Sequence, residues 1–264
     1  MTVSVSSRLL TVLRTFSHRT PLQTLSEISR RSGLPLTTTH RLVNELLHGG
    51  ALEREADGRY RIGLWLWEIA ALAPRGLGLR EVAMPFLEDV YEATRQHAQL
   101  AVLDGCDAVF VERISGRSAV HVVTRVGGRL PLHLTGVGQV LLAHADPELQ
   151  EHVIAGPLRR YTRYTVADGE QLRRRLADIR RDGYVISSRA IEEISLSVAA
   201  PVYGADDRVV AAVSTVVPYG QQDPLTLVPL IKAAARGVSR VLGAPSATGL
   251  PKSVCRTSIV WQPS

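Results

Sequence analysis

The sequence predicts an α+β protein made of two unlike parts. Residues 5–63 show helical periodicity that ends in a short hairpin pattern, whereas residues 99–217 contain runs in which apolar residues alternate. Helical patterns lie at both ends of the second region, and this favours an antiparallel sheet with helices packed beside it. A chain of 264 residues is long enough for two domains of ordinary size.

Composition and charge favour a globular protein with a polyanionic partner. Apolar residues make up 45% of the chain, so a buried core is expected, and the net charge is +6 with a pI of about 9.7. Residues 1–76 hold ten arginines against six acidic residues, and the rest of the chain holds 21 cationic residues against 19 acidic ones. Most of the positive excess therefore lies in the smaller part.

Cysteine usage and hydropathy predict a cytoplasmic protein. Cys106 and Cys255 are far apart and belong to no paired motif, which argues against a disulfide scaffold and a cysteine-based zinc site. The opening MTVSVSSRLL lacks the layout of a signal peptide, and no apolar run approaches the ~20 residues that span a bilayer. We expect no contact with membranes.

Residues 24–50 predict two helices separated by a tight turn at Gly33. Thr24 and Glu27 fit a capping box, and the second helix should begin at residues 35–37 and end at Gly49. Its inward face should carry Thr39, Leu42, Val43, Leu46 and Leu47. Its outward face would then present hydrogen-bonding and cationic groups suited to phosphates and base edges, namely Thr37, Thr38, His40, Arg41 and Asn44.

A hairpin pattern follows these helices. Residues 51–54 and 59–62 are strand candidates, and the Asp57-Gly58 pair between them is a strong turn signal. Arg54, Arg59 and Arg61 lie at or near the hairpin, and we list Arg59 as a candidate DNA contact. The whole predicts a winged helix-turn-helix. A protein-docking module with a solvated polar face is the alternative, and the full constellation favours DNA binding over it.

The segments around this unit set the predicted domain boundaries. Residues 5–16 should form a first helix beneath the helix-turn-helix, and residues 64–73 a helix apolar on nearly all sides, which needs cover such as a second copy of itself. Pro74 and the following glycines should break the chain. The prediction is a DNA-binding domain at 1–63, a linker helix and hinge at 64–78, a second domain at 79–243 and a mobile tail at 244–264.

The second domain has a predicted order of helices and strands. A long helix at 79–97 is kinked or started by Pro85, and a charged helix at 168–181 carries Arg173, Arg174 and Arg175 on a solvated face. Strands are expected at 99–103, 108–113, 119–124, 130–134, 183–187, 196–203 and 208–217, with further helices at 136–143, 147–154 and 223–243.

No catalytic or metal-binding constellation emerges from the second domain, and no cofactor is expected. His121 and His133 lack a third ligand at metal-site spacing, and Gly136-Val137-Gly138 is too short for a dinucleotide fingerprint. The segment 135–138 should still open a helix, whose unpaired amides and dipole suit a carboxylate. A plain tight turn into a packed helix explains the same residues equally well.

Taken together, the segments resemble the IclR-type bacterial transcriptional regulators over residues 5–243. The DNA-binding part is similar in LSEISRRSGLPLTTTHRLVNELLHGGALER and GRYRIG. The second domain is similar in AVLDGCDAVFVERI, GGRLPLHLTGVGQVLLA, IRRDGYVIS and VAAPVYGADDRVVAAVSTVVP. The resemblance implies a winged helix-turn-helix, a linker helix and a GAF-like effector domain. It also implies homodimers, or dimers of dimers, that bind palindromic operators in double-stranded DNA under the control of a small organic acid or aromatic metabolite.

The resemblance also implies a set of effector-binding residues. Carried onto this sequence, it comprises Gly136, Val137, Ser187, Ser195 and Ser197. Ser187 stands where relatives often have Asp, and Ser197 stands where Cys is common. A hydroxyl group does not fix a charge as a carboxylate does, so effectors of relatives do not transfer directly. A small-molecule enzyme or a non-DNA scaffold built on the GAF-like domain is the alternative function, and the missing nucleophile and base weigh against the enzyme.

Overall fold

A computed structural model of the chain describes residues 4–17, 19–73 and 77–248. The chain divides into two compact units, residues 1–77 and residues 78–264, which are described separately. The N-terminal unit contains α1 (Val5–Leu13), α2 (Leu25–Ser32), α3 (Leu36–His48), β1 (Leu52–Arg54), β2 (Tyr60–Ile62) and α4 (Leu64–Ala71). This order confirms the predicted helices and the hairpin that follows them.

Local sequence signals set the geometry of the N-terminal unit. The Thr24 hydroxyl accepts a hydrogen bond from the Glu27 amide, and the Glu27 carboxylate accepts one from the Thr24 amide, so the predicted capping box is confirmed. Gly33 ends α2 with a φ of 69°, a conformation that costs other residues strain. Side chains of α1, α2, α3 and the hairpin then share one apolar core, which includes Val12, Ile28, Leu42, Val43, Leu52 and Tyr60.

The helix α4 exposes most of its apolar surface. None of its residues is buried, although Leu66 packs partly against the core of this unit. Trp67 is 58% exposed and Leu72, just beyond the helix, is 80% exposed. An exposed apolar surface of this extent is typical of a site that another surface covers.

The C-terminal unit is a six-stranded antiparallel sheet with helices on both faces. Its helices are α5 (Leu77–Thr94), α6 (Gly136–Ala143), α7 (Pro147–Ala155), α8 (Gly169–Asp182), α9 (Val228–Val241) and α10 (Pro245–Thr248). Its strands are β3 (His97–Asp104), β4 (Asp107–Ile114), β5 (Arg129–Pro131), β6 (Val185–Ser188), β7 (Ser195–Tyr203) and β8 (Val209–Pro218), arranged in the order β5-β4-β3-β8-β7-β6. The α+β class predicted from the sequence is confirmed.

The alternation of residues along the strands gives the sheet two different faces. One face, with Leu100, Val198 and Val213, packs against α5 and α9 in a continuous apolar core. The opposite face, with Ala101 and Ala199, packs against α6 and α8. On this second face polar residues replace part of the apolar set, and a cavity lies there.

The predicted strand at 119–124 is wrong. This segment is irregular, because side chains rather than a neighbouring strand satisfy its backbone groups. The Val120 amide donates to Gln96 Oε1, and the Val123 amide donates to Glu192 Oε1. The Thr124 carbonyl accepts a hydrogen bond from the guanidinium of Arg113.

Other boundaries differ from the prediction. Within the expected hinge, residues 74–76 lie outside the described part of the chain. The helix α5 already begins at Leu77. The glycine at 78 weakens a helix but does not prevent one. Pro85 lies inside α5 on its exposed side and so does not mark the start of the helix. The expectation of a mobile tail from residue 244 is wrong for residues 245–248, since these form α10 and bury Pro245 and Ala247. Residues 249–264 lie outside the described range.

Candidate nucleic-acid interface and ligand pocket

The helix α3 divides into a buried and an exposed side as the sequence predicts. Thr39, Leu42, Val43 and Leu46 are buried, and Leu47 is partly buried. On the other side Thr37, His40 and Arg41 are exposed, while Thr38 and Asn44 are half-buried. The five candidate DNA contacts therefore share one surface of the helix.

Side chains on this surface of α3 are held by contacts along the helix. Arg41 Nη1 lies 3.0 Å from Glu45 Oε1, and both side chains are about half exposed. The Asn44 amide lies 3.4 Å from a ring nitrogen of His40. Exposed pairs of this kind contribute about 0.3–0.5 kcal/mol, so phosphates or base edges can replace them at small cost.

The hairpin keeps Arg59 and Arg61 near carboxylates of its own. Arg59 Nη2 lies 2.7 Å from Asp57 Oδ2, and Arg61 lies between Glu53 and Glu55, 2.8 and 2.5 Å away. These hydrogen bonds hold the pKa of Asp57 and of Glu53 below their usual values, with the Leu64 amide as the largest cause for Glu53. The hairpin presents cationic side chains to DNA, but nearby carboxylates already balance part of their charge.

A cavity lies on the second face of the sheet, beside the N-terminus of α6. It is lined by Gln99, Phe110, Val122, Thr124, Leu134, Thr135, Gly136, Val137, Ser187, Ala190, Ile191, Glu192, Ser195, Ser197, Ser214 and Val216. All five effector-binding residues implied by the family resemblance lie in this one cavity.

The first turn of α6 presents backbone donors to the cavity. Thr135 Oγ1 accepts a hydrogen bond of 2.8 Å from the Gly138 amide, whereas no described atom accepts from the amides of Gly136 and Val137. Gly136 lies so close to β7 that a Cβ there would be 3.0 Å from Ser197 Oγ. Because residue 136 is a glycine, the start of α6 packs against the sheet with two unpaired N–H groups. These groups would stabilise an anion.

Within the part of the chain that the structure describes, the hydroxyls of two serines beside this helix terminus make no hydrogen bond. Ser187 and Ser197 lie opposite each other on the neighbouring strands β6 and β7, and both line the cavity. Ser187 is only 6% exposed, and within the described residues its hydroxyl makes no hydrogen bond. A buried hydroxyl normally finds a partner, so an open one at a cavity wall suits a ligand.

Two loops, residues 119–124 and 189–194, cover the cavity. We call them the covering loops. Glu192 joins them, because its Oε1 accepts from the Val123 amide at 2.8 Å and its Oε2 accepts from the Ser195 hydroxyl at 3.3 Å. Gln99 on β3 donates to Thr124 Oγ1 at 2.5 Å and so ties the first loop to the floor of the cavity.

Arg189 anchors the second covering loop. Its guanidinium stacks between two rings, 3.6 Å from the centroid of Tyr164 and 4.1 Å from that of Tyr219. Its backbone has a φ of 57°, and its carbonyl accepts a hydrogen bond of 2.6 Å from the Thr162 hydroxyl. The strained backbone and the stacked side chain together fix the start of this loop.

The expectation of a solvated face for all three arginines of α8 is wrong for Arg175. Arg173 does pair with Glu151 on the surface, at 2.9 Å. Arg175 instead points inward, where it donates to Gln139 Oε1 at 2.6 Å and to the Ile186 carbonyl. Burial lowers the pKa of this guanidinium. Arg175 thereby joins α6 to the edge strand β6, next to Ser187.

Within the described residues, no group of three or more His, Cys, Asp or Glu side chains is arranged to hold a metal ion. His133 is buried, and its Nε2 donates to the Arg159 carbonyl at 3.1 Å. Burial lowers its pKa. His121 is exposed.

Sequence reasoning missed several residues of the cavity. Gln99 and Ser214 share a face of neighbouring strands, and the alternation along those strands was a usable signal. Thr124 gave no local signal, because it meets Glu192 only where two irregular loops come together.

Comparison with known proteins identifies both units. Residues 6–56 match the IclR helix-turn-helix domain, and residues 72–240 match the bacterial transcriptional regulator IclR C-terminal domain. The chain is 32% identical to the HTH-type transcriptional regulator XynR of Escherichia coli over 244 residues, which cover 90% of this chain and 97% of that protein. It is 30% identical to the HTH-type transcriptional regulator KipR of Bacillus subtilis, covering 77% of this chain and 81% of KipR.

Solved structures agree with this result. An IclR homolog from Microbacterium hydrocarbonoxydans, complexed with 4-hydroxybenzoate, is 42% identical with a TM-score of 0.87 and covers 90% of this chain and 99% of its own. A putative transcriptional regulator from Rhodococcus sp. RHA1 is 28% identical with a TM-score of 0.79, covering 91% of this chain and 98% of its own.

A winged helix-turn-helix followed by an α+β domain with a cavity beside its sheet defines a DNA-binding transcriptional regulator with an effector domain. The matched residues go further, and this chain belongs to the IclR family of bacterial transcriptional regulators. The resemblance stated from the sequence is thus confirmed. Among the described residues, no helix has both the length and the apolar character to cross a bilayer.

Proposed function

We propose that this regulator binds a palindromic operator through α3 and the hairpin, and that a small organic acid or aromatic metabolite in the cavity changes its affinity for that operator. Arg41, His40, Asn44, Thr37 and Thr38 would contact base edges and phosphates in the major groove, and Arg59 would contact the backbone beside it. A protein with this role acts on the chromosome, so we propose a cytoplasmic location.

The observation that carries the effector role is the cavity beside α6. Within the described residues, two unpaired amides and the open Ser187 and Ser197 hydroxyls converge on this cavity. Donors of this kind favour a carboxylate, and the apolar Phe110, Val122 and Val216 favour an aromatic or aliphatic body. The bound 4-hydroxybenzoate of the Microbacterium relative belongs to the same chemical class.

We further propose that the working unit is a homodimer or a dimer of dimers, with α4 as part of the contact. Leu64, Trp67 and Ile69 are 63%, 58% and 46% exposed, and an apolar helix needs cover on more than one side. A two-fold dimer places two copies of α3 on two half-sites, which is why we expect a palindrome. Effector binding alters DNA affinity only if the effector prefers one of two dimer states.

The relatives are transcriptional regulators, so we propose no enzymatic activity for the C-terminal unit. Turnover of a ligand that binds in the cavity would contradict this part of the proposal.

Selection of genomic fragments tests the DNA-binding role. The purified protein is mixed with fragmented genomic DNA at ~150 mM salt, where non-specific phosphate contacts are weak, and the retained fragments are sequenced. The proposal predicts enrichment of a palindromic site whose half-sites are one or more helical turns apart. Candidate acids added to the retained complex should change the amount of bound DNA. Failure to enrich any site, with and without these acids, would contradict the proposal.

A further inference from the structure

The cavity carries a charged group at the end away from α6. Among the described residues that line it, Glu192 is the only ionisable one, and its carboxylate is fixed by the Val123 amide and the Ser195 hydroxyl. A carboxylate accepts about four hydrogen bonds, so acceptor positions remain open on both oxygens. A ligand that reaches Glu192 therefore meets an anion that accepts hydrogen bonds.

The two polar ends of the cavity are separated by two residues along strand β7. Ser197 lies against Gly136 at the start of α6, and Ser195 lies against Glu192. Side chains two residues apart on one face of a strand are about 7 Å apart. A benzene ring with substituents in para positions separates those substituents by a comparable distance, and Phe110 and Val216 supply apolar walls.

We propose that Glu192 is a specificity-determining residue, whose carboxylate accepts a hydrogen bond from a hydroxyl or amino group at the far end of the effector. The inference rests on the proposed function, in which the acid group of the effector lies at Gly136 and Val137. The cavity then selects aromatic acids that carry a donor group opposite the carboxylate. Unsubstituted acids lose this hydrogen bond, and diacids place a second negative charge against Glu192.

Isothermal titration of the full-length protein with three probes tests this proposal. The probes are benzoate, 4-hydroxybenzoate and terephthalate, which present no group, a donor and a second carboxylate to Glu192. Hydrogen bonds to charged groups contribute about 1.5–3 kcal/mol, so 4-hydroxybenzoate should bind at least about tenfold more tightly than benzoate. Terephthalate should bind more weakly than benzoate.

The variant Glu192→Gln removes the charge and keeps an acceptor oxygen for the Val123 amide. It should reduce the preference for 4-hydroxybenzoate to about threefold or less, and terephthalate should now bind about as well as benzoate. Glu193→Gln is the matched control, since Glu193 is exposed and does not line the cavity, and it should keep the wild-type order. Thermal unfolding of both variants checks that the fold is retained.

Three results would overturn the assignment of Glu192. They are equal binding of benzoate and 4-hydroxybenzoate by the wild type, an unchanged preference in Glu192→Gln, and no binding of 4-hydroxybenzoate. Equal binding would leave the effector role of the cavity intact. No binding of any of the three acids would also exclude benzene carboxylates from the proposed effector class, whereas enrichment of a palindromic DNA site would still support the DNA-binding role.

Discussion

The DNA-binding surface and the ligand cavity carry polar groups in opposite ways. On α3 and the hairpin, Arg41, Arg59 and Arg61 are exposed, and each is paired with a carboxylate on its own element. In the cavity the donors are backbone amides and hydroxyls, and the nearby Arg175 and Arg189 are held within the surrounding structure. The DNA-binding surface has exposed cations whose carboxylate partners can be displaced, whereas the described lining of the cavity has one carboxylate, Glu192, and otherwise uncharged polar groups.

This difference follows from the ligand that each surface is expected to bind. Exposed ion pairs are weak in water, so DNA phosphates can displace the internal carboxylates. A small ligand contributes few contacts, and its site must exclude water and hold its donors in place before binding. Variants that remove an ion pair from the DNA-binding surface, or change the packing beside the cavity, test the two regions separately.

The largest expected effect comes from Arg41→Ala. Each base or phosphate contact of this kind contributes about 1–3 kcal/mol, and a dimer loses two, so operator affinity should fall at least about 30-fold. Fluorescence anisotropy with an enriched operator measures the loss. Arg208→Ala, which removes an exposed arginine from the other unit, is the control and should bind normally. Operator affinity that survives Arg41→Ala would show that α3 does not bind DNA through this residue.

Two glycine substitutions compare the packing of the two regions. A Cβ at Gly138 would lie 2.4 Å from the Leu132 carbonyl oxygen, so Gly138→Ala should lower the free energy of unfolding of the C-terminal unit by about 2–3 kcal/mol. A Cβ at Gly33 meets no atom within 4 Å, and Gly33→Ala should cost only the ~1–2 kcal/mol of a left-handed backbone. Urea unfolding followed by circular dichroism measures both, and equal losses would contradict the comparison.

The C-terminal unit should lose stability in mild acid. Burial lowers the pKa of His97, His133 and His144 in the folded state. The unfolded chain then takes up protons first, so this stability is complete above about pH 6.5 and declines as the pH falls below it toward the folded pKa. Urea unfolding at about pH 7.5 and pH 5.5 measures the change. His144→Phe should weaken the pH dependence, and an undiminished dependence would exclude His144 as a contributor.

The smallest expected effect concerns the hairpin. Asp57→Asn releases Arg59 from its carboxylate, so DNA affinity should rise a few-fold and its dependence on salt should steepen by about one phosphate contact per subunit. Asp206→Asn removes a comparable partner from Arg208 in the other unit and should leave both quantities unchanged. A salt dependence that stays the same in Asp57→Asn would show that Arg59 does not reach the DNA backbone.

The sequence predicted the elements with strong local signals. The capping box at Thr24, the tight turn at Gly33 and the Asp57-Gly58 turn are each determined by neighbours in the chain, and the structure contains all three. The strand predicted at 119–124 failed for the opposite reason, because its apolar alternation had no neighbouring strand to pair with. Its backbone groups are satisfied by side chains from distant segments.

The sequence by itself determined the α+β class, the two parts of the chain, the polar side of α3 and the family. These features depend on periodicity and on turn residues, which act over a few positions. Only the tertiary structure decided that Glu192 meets Val123 across 69 positions of sequence, and that Arg175 turns inward to Gln139. Contacts of this kind depend on how irregular loops and helix faces pack in three dimensions, and no local pattern of residues records them.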